Sequence, residues 1–175
     1  AAAKYAPDGY RFLFSWAGTL AVNKSLYATI NYDPQKDLAP LTMGVNFPNV
    51  LVVIPELGIK NLKEYVAYAK KNPGKLTFAS TGSGSASHLQ GELFNVRADI
   101  DTVHVPYKGN SAAWPDVISG RVTMIFEPFG TASAMIREGR MRALGVSSVK
   151  RLSVLPDVPT MSEQGASGYN FYLWL

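Results

Sequence analysis

The chain of 175 residues contains no cysteine and only two histidines, His88 and His104. The absence of cysteine excludes disulfides, thiolate catalysis and cysteine metal sites together. Two histidines so far apart in sequence are too few for a metal site of the usual kind, and we expect no metal and no other cofactor. Lack of cysteine is compatible with any compartment, so it does not locate the protein.

Long hydrophobic runs are also missing. The longest strand-like run, residues 50–54, is far shorter than the roughly 20 residues that cross a bilayer. Acidic residues number 13 against 17 basic ones, giving a net charge of +4. The basic residues are scattered and do not alternate with aromatics in a stripe, which argues against nucleic-acid binding and weakly favours an anionic ligand.

Apolar β-rich runs alternate with helical patterns along the chain. This alternation predicts an α/β fold with a mostly parallel sheet, in which ligands bind where strands end and helices begin. Loops are predicted at 31–40 and 150–159. Strands are predicted at 11–15, 41–45, 50–54, 76–79, 102–105, 122–126 and 141–146. Helices are predicted at 20–27, 62–71, 85–96, 112–119 and 131–138.

Several boundaries have specific signals. Asn61 is predicted to cap the second helix, with Glu64 completing a capping box. The run Asn46-Phe47-Pro48 is interpreted as a break between the second and third strands. Pro115 fits poorly inside the helix predicted at 112–119, so we expect that helix to begin only there.

The most informative segment is LTFASTGSGSASHLQGEL, residues 76–93. A strand passes through a turn rich in glycine and serine into a helix. Glycines let the backbone approach a ligand closely, and the amides at a helix start attract an anion. We therefore expect this turn to bind a carboxylate. The candidate ligand-binding residues in it are Ser80, Thr81, Gly82, Gly84 and Ser85.

Better-known loop motifs do not match this turn. No lysine occurs between Lys75 and Lys108, which excludes a phosphate loop. Ser87 stands where the dinucleotide fingerprint needs its third glycine. The residues around Ser83 do not form the G-x-S-x-G elbow of hydrolases. A loop that caps its helix and binds nothing is the alternative that stays open.

Other candidate residues lie outside this turn. Glu127 lies at the end of a predicted strand, where a solute contact is expected, although an exposed loop carboxylate is an equal alternative. Residues Ser15, Thr19 and Asn23 follow the first predicted strand and could donate hydrogen bonds from a second side. No acidic residue close in sequence orients His88, so we expect this histidine to pack or cap and not to act as a base.

A series of different short motifs, each present once, extends along nearly the whole chain. They include Ala6-Pro7-Asp8-Gly9-Tyr10, Pro48-Asn49-Val50-Leu51-Val52-Val53, Asn72-Pro73-Gly74-Lys75-Leu76, Ser87-His88-Leu89, Val103-His104-Val105-Pro106-Tyr107-Lys108-Gly109 and Leu155-Pro156-Asp157-Val158-Pro159-Thr160. As an ordered set they resemble the substrate-binding subunits of the tripartite tricarboxylate transporters, also called Bug receptors.

The resemblance implies a periplasmic, two-lobed binding protein of type II-like α/β architecture. Such a receptor closes on a small carboxylate solute and delivers it to the membrane subunits of a transporter, without catalysis. By position, residues 1–47 correspond to part of the first lobe, 48–145 to the second lobe and 146–175 to an incomplete return to the first. Ser15, Thr19 and Asn23 would belong to the first lobe, and Glu127 occupies a solute-reading position where aspartate is more usual.

Measured against that family, the chain is expected to be truncated at both ends. By this resemblance, the family's first strand, its ligand loop and the return past Leu175 would lie outside the chain, and a partner chain completing the lobe is one explanation of the apolar run at 171–175. The alternative function is an α/β serine hydrolase or transferase using Ser83 or Ser85 with His88.

Overall fold

The computed structural model describes residues 2–175. The chain forms two compact units, which we call the first unit (Ala1–Asn46 with Leu173–Leu175) and the second unit (Phe47–Tyr172). The second unit extends through residues 146–172, which the family resemblance assigns to a return to the first lobe. How these units correspond to the lobes of a receptor stays a prediction.

A mixed β-sheet forms the centre of the second unit. Its strands are β1 (Asn46–Val53), β2 (Thr77–Ser80), β3 (Val103–Pro106), β4 (Met124–Pro128) and β5 (Arg142–Val146), in the order β3-β2-β4-β1-β5. A short strand, β6 (Tyr172–Trp174), pairs with β1.

The direction of β1 differs from the prediction of a mostly parallel sheet. Strand β2 pairs in parallel with β3 and β4, but β1 pairs antiparallel with both β4 and β5. Among β1–β5, four strands therefore run one way and β1 runs the other. The sequence gives no sign of this reversal, because a strand buried on both faces is a continuous apolar run whichever way it points.

The main helices are α2 (Leu62–Lys71), α3 (Ala86–Ala98), α4 (Asn110–Ile118) and α5 (Phe129–Arg137). The predicted cap of α2 is confirmed, since the side chain of Asn61 accepts a hydrogen bond from the Glu64 amide at 2.9 Å. The Glu64 carboxylate bonds back to the amide of Lys60 at 2.8 Å, one residue before the capping residue.

Helix α4 begins earlier than predicted. It starts at Asn110 and contains Pro115 in its interior. A proline there leaves the carbonyl of Ser111 without its usual helical donor. Ser111 is exposed, so water can bond this carbonyl.

The core of the second unit lies on both faces of the sheet. Along β1, Leu51 and Val53 point to a cluster with α2 and α3, while Val50 and Val52 point to a cluster with α4 and α5. This is the alternation that a strand's period of two requires. Gly91 allows α3 to pack closely on β2, because a Cβ at this position would overlap the ring of Phe78.

The first unit contains little regular structure. A π-helical stretch at Gly18–Val22 continues into α1 (Asn23–Leu26), close to the helix predicted at 20–27, and the loop at 31–40 is confirmed. The strands predicted at 11–15 and 41–45 are wrong, because neither segment joins a β-ladder. Phe12, Leu13 and Phe14 are all exposed, so this apolar run forms no buried face.

The predicted break at Asn46-Phe47-Pro48 is also wrong, since these residues form the start of β1. Pro48 is tolerated because the ladder with β4 begins only at Asn49. Among residues 2–175, none of the helices has the length and apolar character needed to cross a bilayer.

Candidate functional site

Three parallel strands end at one edge of the sheet, which we call the carboxyl edge. Strand β2 ends at Ser80, β3 at Pro106 and β4 at Pro128. The amide of Tyr107 donates to the carbonyl of Ser80 at 2.9 Å, so the connection after β3 lies against the start of the connection after β2. The structure thus brings residues 80–85 and Glu127 to neighbouring strand ends, where α/β proteins bind ligands.

Residues 80–85, the glycine-serine turn, have a defined conformation. Gly82 and Gly84 have φ angles of +126° and +78°, a region that side chains disfavour. The hydroxyl of Ser85 accepts a hydrogen bond from the backbone amide of His88 at 3.3 Å, which caps α3. The turn is therefore fixed both by its glycines and by the helix that follows it.

Four amides of the turn are already occupied, including that of Ser85, which donates to the carbonyl of Gly82 at 3.1 Å. The amide of Gly82 donates to the Ser80 hydroxyl at 3.1 Å, and the amide of Gly84 donates to Nδ1 of His88 at 3.0 Å. The amide of Thr81 donates to the hydroxyl of Ser87 at 3.0 Å. Glycines 82 and 84 therefore shape the turn, and their amides are not free for a solute.

Other amides at the start of α3 are free. Within the part of the chain that the structure describes, the amides of Ser83, Ala86 and Ser87 donate to no protein acceptor. The hydroxyl of Ser87 lies 3.3 Å from that of Thr81 and 3.1 Å from that of Ser85. Sequence reasoning missed Ser87 as a site residue, although its position in the first turn of α3 was a usable signal.

The two histidines lie against the glycine-serine turn. Their rings stack with centroids 3.8 Å apart, and Nε2 of His104 is 2.5 Å from the buried hydroxyl of Ser80. Nε2 of His88 is 3.6 Å from the carboxylate of Glu92. An acidic residue one helical turn away does contact His88, contrary to our expectation, while the prediction of a packed or capping histidine is confirmed.

These contacts leave the hydrolase alternative without a nucleophile and base. Among the described residues, no ring nitrogen of either histidine bonds the hydroxyl of Ser83 or Ser85. The serine that does contact an imidazole, Ser80, is completely buried and also bonded to Gly82, so a substrate has no access to it. Burial, followed by the neighbouring His88 ring, lowers the pKa of His104.

Glu127 is completely buried at the end of β4, which excludes the alternative of an exposed loop carboxylate. Thr131, in the first turn of α5, donates to its Oε2 at 2.7 Å, and Oε1 has no partner among the described residues. Burial raises the pKa of Glu127 to about 7. Below that pH the carboxyl is protonated and can donate a hydrogen bond. Its contact with a solute stays a prediction.

Asn49 and Gln90 form a second buried polar pair that sequence reasoning missed. The side-chain amide of Asn49 donates to Oε1 of Gln90 at 2.6 Å. Asn49 Oδ1 and Gln90 Nε2 have no partner in the described chain. Because β1 is antiparallel, its first residues, including Asn49, lie at the carboxyl edge. No local pattern distinguishes Asn49 from a polar residue ending a loop.

The remaining candidates belong to the first unit. Ser15 is buried, whereas Thr19 and Asn23 converge on one tyrosine. The Tyr32 hydroxyl donates to the carbonyl of Thr19 at 2.7 Å and accepts from the side chain of Asn23 at 3.4 Å. Their participation in a ligand site stays a prediction. The described residues include no group of three or more His, Cys, Asp or Glu side chains placed to hold a metal.

Comparison with known proteins gives a consistent result. The whole chain, residues 1–175, matches the model of the tripartite tricarboxylate transporter family receptor. It is 39% identical to the protein BugT of Bordetella pertussis over 166 residues, which is 94% of this chain and 51% of that protein. The chain spans about half the length of the curated relatives it matches.

Solved structures agree with the sequence match. An R. palustris protein with adipate is similar with a TM-score of 0.89 at 32% identity, covering 99% of this chain and 58% of that one. MatC from Rhodopseudomonas palustris with bound malate is similar with a TM-score of 0.85 at 29% identity, covering 99% of this chain and 59% of that one.

Proposed function

This chain belongs to the tripartite tricarboxylate transporter receptor family, and on that premise we propose that it is the ligand-binding part of a periplasmic solute receptor. The solute is a small organic carboxylate, which the receptor delivers to the membrane subunits of a transporter without changing it chemically. Two relatives of similar structure were solved with adipate and malate, both dicarboxylates, which supports this solute class.

The observation that carries the proposal is the set of free donors at the glycine-serine turn. The amides of Ser83, Ala86 and Ser87 lie at the start of α3, where the helix dipole adds partial positive charge. Oriented amides of this kind bind an anion without a full positive charge. Such a site suits a receptor that must release its solute again.

Glu127 fits the same proposal through its protonation state. An ionised carboxylate at the carboxyl edge would repel an anionic solute. Burial keeps Glu127 protonated below a pKa of about 7, and its Oε1 has no partner in the described chain. A neutral Glu127 can therefore donate a hydrogen bond to a polar group of the solute.

Calorimetric titration of the protein containing this chain with adipate and malate tests the proposal. We expect Thr81→Val to weaken binding by about 1–2 kcal/mol, roughly 5- to 30-fold in Kd, because the exposed Thr81 hydroxyl bonds the anion. Ser133→Ala is the matched control, since this exposed hydroxyl lies on α5 and bonds only the carbonyl of Gly130.

Two results would contradict the proposal. Absence of binding across di- and tricarboxylates, with the protein folded, would remove the solute class. An equal affinity of Thr81→Val and Ser133→Ala for a carboxylate that does bind would place the solute away from the glycine-serine turn.

A further inference from the structure

One side-chain hydrogen bond links the His88 ring to the glycine-serine turn. Nδ1 of His88 accepts from the backbone amide of Gly84 at 3.0 Å. Gly84 lies between Ser83 and the capping residue Ser85, so this bond acts next to the free amide of Ser83. A nitrogen that accepts from an N–H must carry a lone pair, which restricts the ring to its neutral form.

The surroundings of His88 favour the tautomer that this bond needs. The carboxylate of Glu92 lies 3.6 Å from Nε2, so the ring proton is best placed on Nε2 and the lone pair on Nδ1. Glu92, His88 and the Gly84 amide thus form a continuous chain of polar contacts. Protonation would add a hydrogen to Nδ1, directly facing the N–H of Gly84, and the two donors would repel each other.

The other neighbours of the ring act in opposite directions. His104 stacks on His88 at 3.8 Å, so a positive charge on one ring disfavours a charge on the other. Phe78 stacks with both rings and supplies no charge. Glu92 is the acidic group beside the pair, and its negative charge favours the protonated form. The rings are partly exposed, so protons can reach them.

We propose that His88 is a positioning residue of the glycine-serine turn: its neutral ring holds Gly84 and the neighbouring Ser83 amide in place, and protonation of the ring releases this part of the turn. His104 supports the arrangement through stacking and its contact with Ser80. Protonation of His104 does not break that contact, because Nε2–H can then donate to the Ser80 hydroxyl, which in turn donates to the Gly82 carbonyl.

The consequence for a solute rests on the proposed function. Release of Gly84 disorders the free amide of Ser83 beside it, which weakens carboxylate binding in acid. An imidazolium also attracts an anion, but this attraction is weak for a partly exposed charge. An oriented amide that bonds an anion contributes more, so the net effect is weaker binding as the pH falls.

Nuclear magnetic resonance of the ¹⁵N-labelled protein between pH 8 and pH 5 tests the proposal without a solute. The ring nitrogens of His88 should show the Nε2–H tautomer at pH 8. The Gly84 amide signal should move with the same midpoint as the His88 ring. Its exchange with solvent, corrected for the intrinsic pH dependence, should become at least roughly tenfold faster below that midpoint.

Matched variants separate positioning from simple packing. His88→Asn keeps an acceptor near Nδ1 that cannot be protonated, so Gly84 should stay protected at every pH. His88→Phe keeps a ring without an acceptor, so Gly84 should be unprotected throughout.

The proposal is overturned if the His88 ring titrates while Gly84 stays protected, or if the neutral ring carries its proton on Nδ1. Should His88→Phe not fold, the wild-type titration and His88→Asn still test the proposal. The contradicting result would then be a Gly84 amide that loses its protection in acid in His88→Asn as it does in the wild type.

Adipate binding at pH 7.5 and pH 5.5 tests the consequence. Wild type should lose about tenfold more affinity than His88→Asn, because protonation of adipate and of Glu127 affects both proteins alike. Parallel losses would overturn the link to binding. Failure of adipate and malate to bind either protein at pH 7.5 would count against the proposed function, while the Gly84 amide would still decide the positioning role of His88.

Discussion

The two compact units bury their apolar residues very differently. The second unit has a sheet covered on both faces, with Phe78, Phe94 and Phe126 fully or almost fully buried. In the first unit, residues 2–46 contain one buried side chain, Ser15, and expose large apolar ones. Tyr10 is 88% exposed and Phe12 72%.

This difference shows that strand pairing, and not the local spacing of apolar residues alone, decides whether those residues become buried. Both units contain apolar residues at strand-like spacing. Within residues 2–45 no such segment joins a β-ladder, whereas the strands of the second unit pair, and pairing creates a surface on which helices bury side chains. The same residue types are therefore worth several kcal/mol in one unit and almost nothing in the other.

The largest expected effect comes from a matched pair of phenylalanines. Phe94 packs against Tyr65, Phe126 and Tyr169, so Phe94→Ala should lower the free energy of unfolding by about 3–5 kcal/mol. Phe12→Ala should change it by less than about 0.5 kcal/mol. Urea unfolding followed by circular dichroism measures both. Similar losses for the two variants would break the comparison.

A pair of glycines sharpens the comparison. Gly91→Ala should cost about 1–3 kcal/mol, because its Cβ would overlap the ring of Phe78. A Cβ at Gly18, in the helical part of the first unit, meets no atom within 4 Å. Gly18→Ala should therefore be neutral or stabilising by up to about 1 kcal/mol. Thermal unfolding of both variants checks this, and a stabilising Gly91→Ala would contradict the close packing of α3.

The pH dependence of buried and exposed carboxylates gives the third contrast. Burial raises the pKa of Glu127 from 4.5 to about 7, so its destabilisation of the fold grows as the pH rises between these values. Glu127→Gln should therefore raise the free energy of unfolding by roughly 1–3 kcal/mol at pH 8 and by almost nothing at pH 4. Urea unfolding at both pH values measures this.

Asp33, in the first unit, should show the opposite sign. Its hydrogen bond from Lys24 at 2.9 Å lowers its pKa, so any stability it contributes is present at neutral pH and is lost in acid. Asp33→Asn should destabilise slightly at pH 7 and not at pH 3. A Glu127→Gln variant that follows this pattern would show that Glu127 is not buried as a neutral group.

Much of the second unit follows from local signals. The cap at Asn61, the turn at 72–74 and the serine that begins α3 all occur where the sequence predicts them. The strands of this unit lie within two residues of their predicted starts, except that β1 begins four residues early. Each of these features depends on neighbours within a few positions, which a single sequence displays.

The candidate site was predictable only in part. A turn at residues 80–85 leading into a helix followed from its glycines, and the strand-end position of Glu127 followed from the apolar run before it. Which amides are free did not follow, because it depends on the side chains of Ser80, Ser87 and His88 as acceptors. The same residues could equally have pointed to solvent.

By itself, the sequence determined the alternation of strands and helices, the caps, and the family to which the chain belongs. Tertiary structure alone decided that β1 runs against its neighbours, that Glu127 is buried with a raised pKa, and that His88 and His104 stack beside the glycine-serine turn. The first set arises from interactions between residues a few positions apart. The second arises from contacts between segments distant in sequence, whose energy depends on how the whole sheet packs.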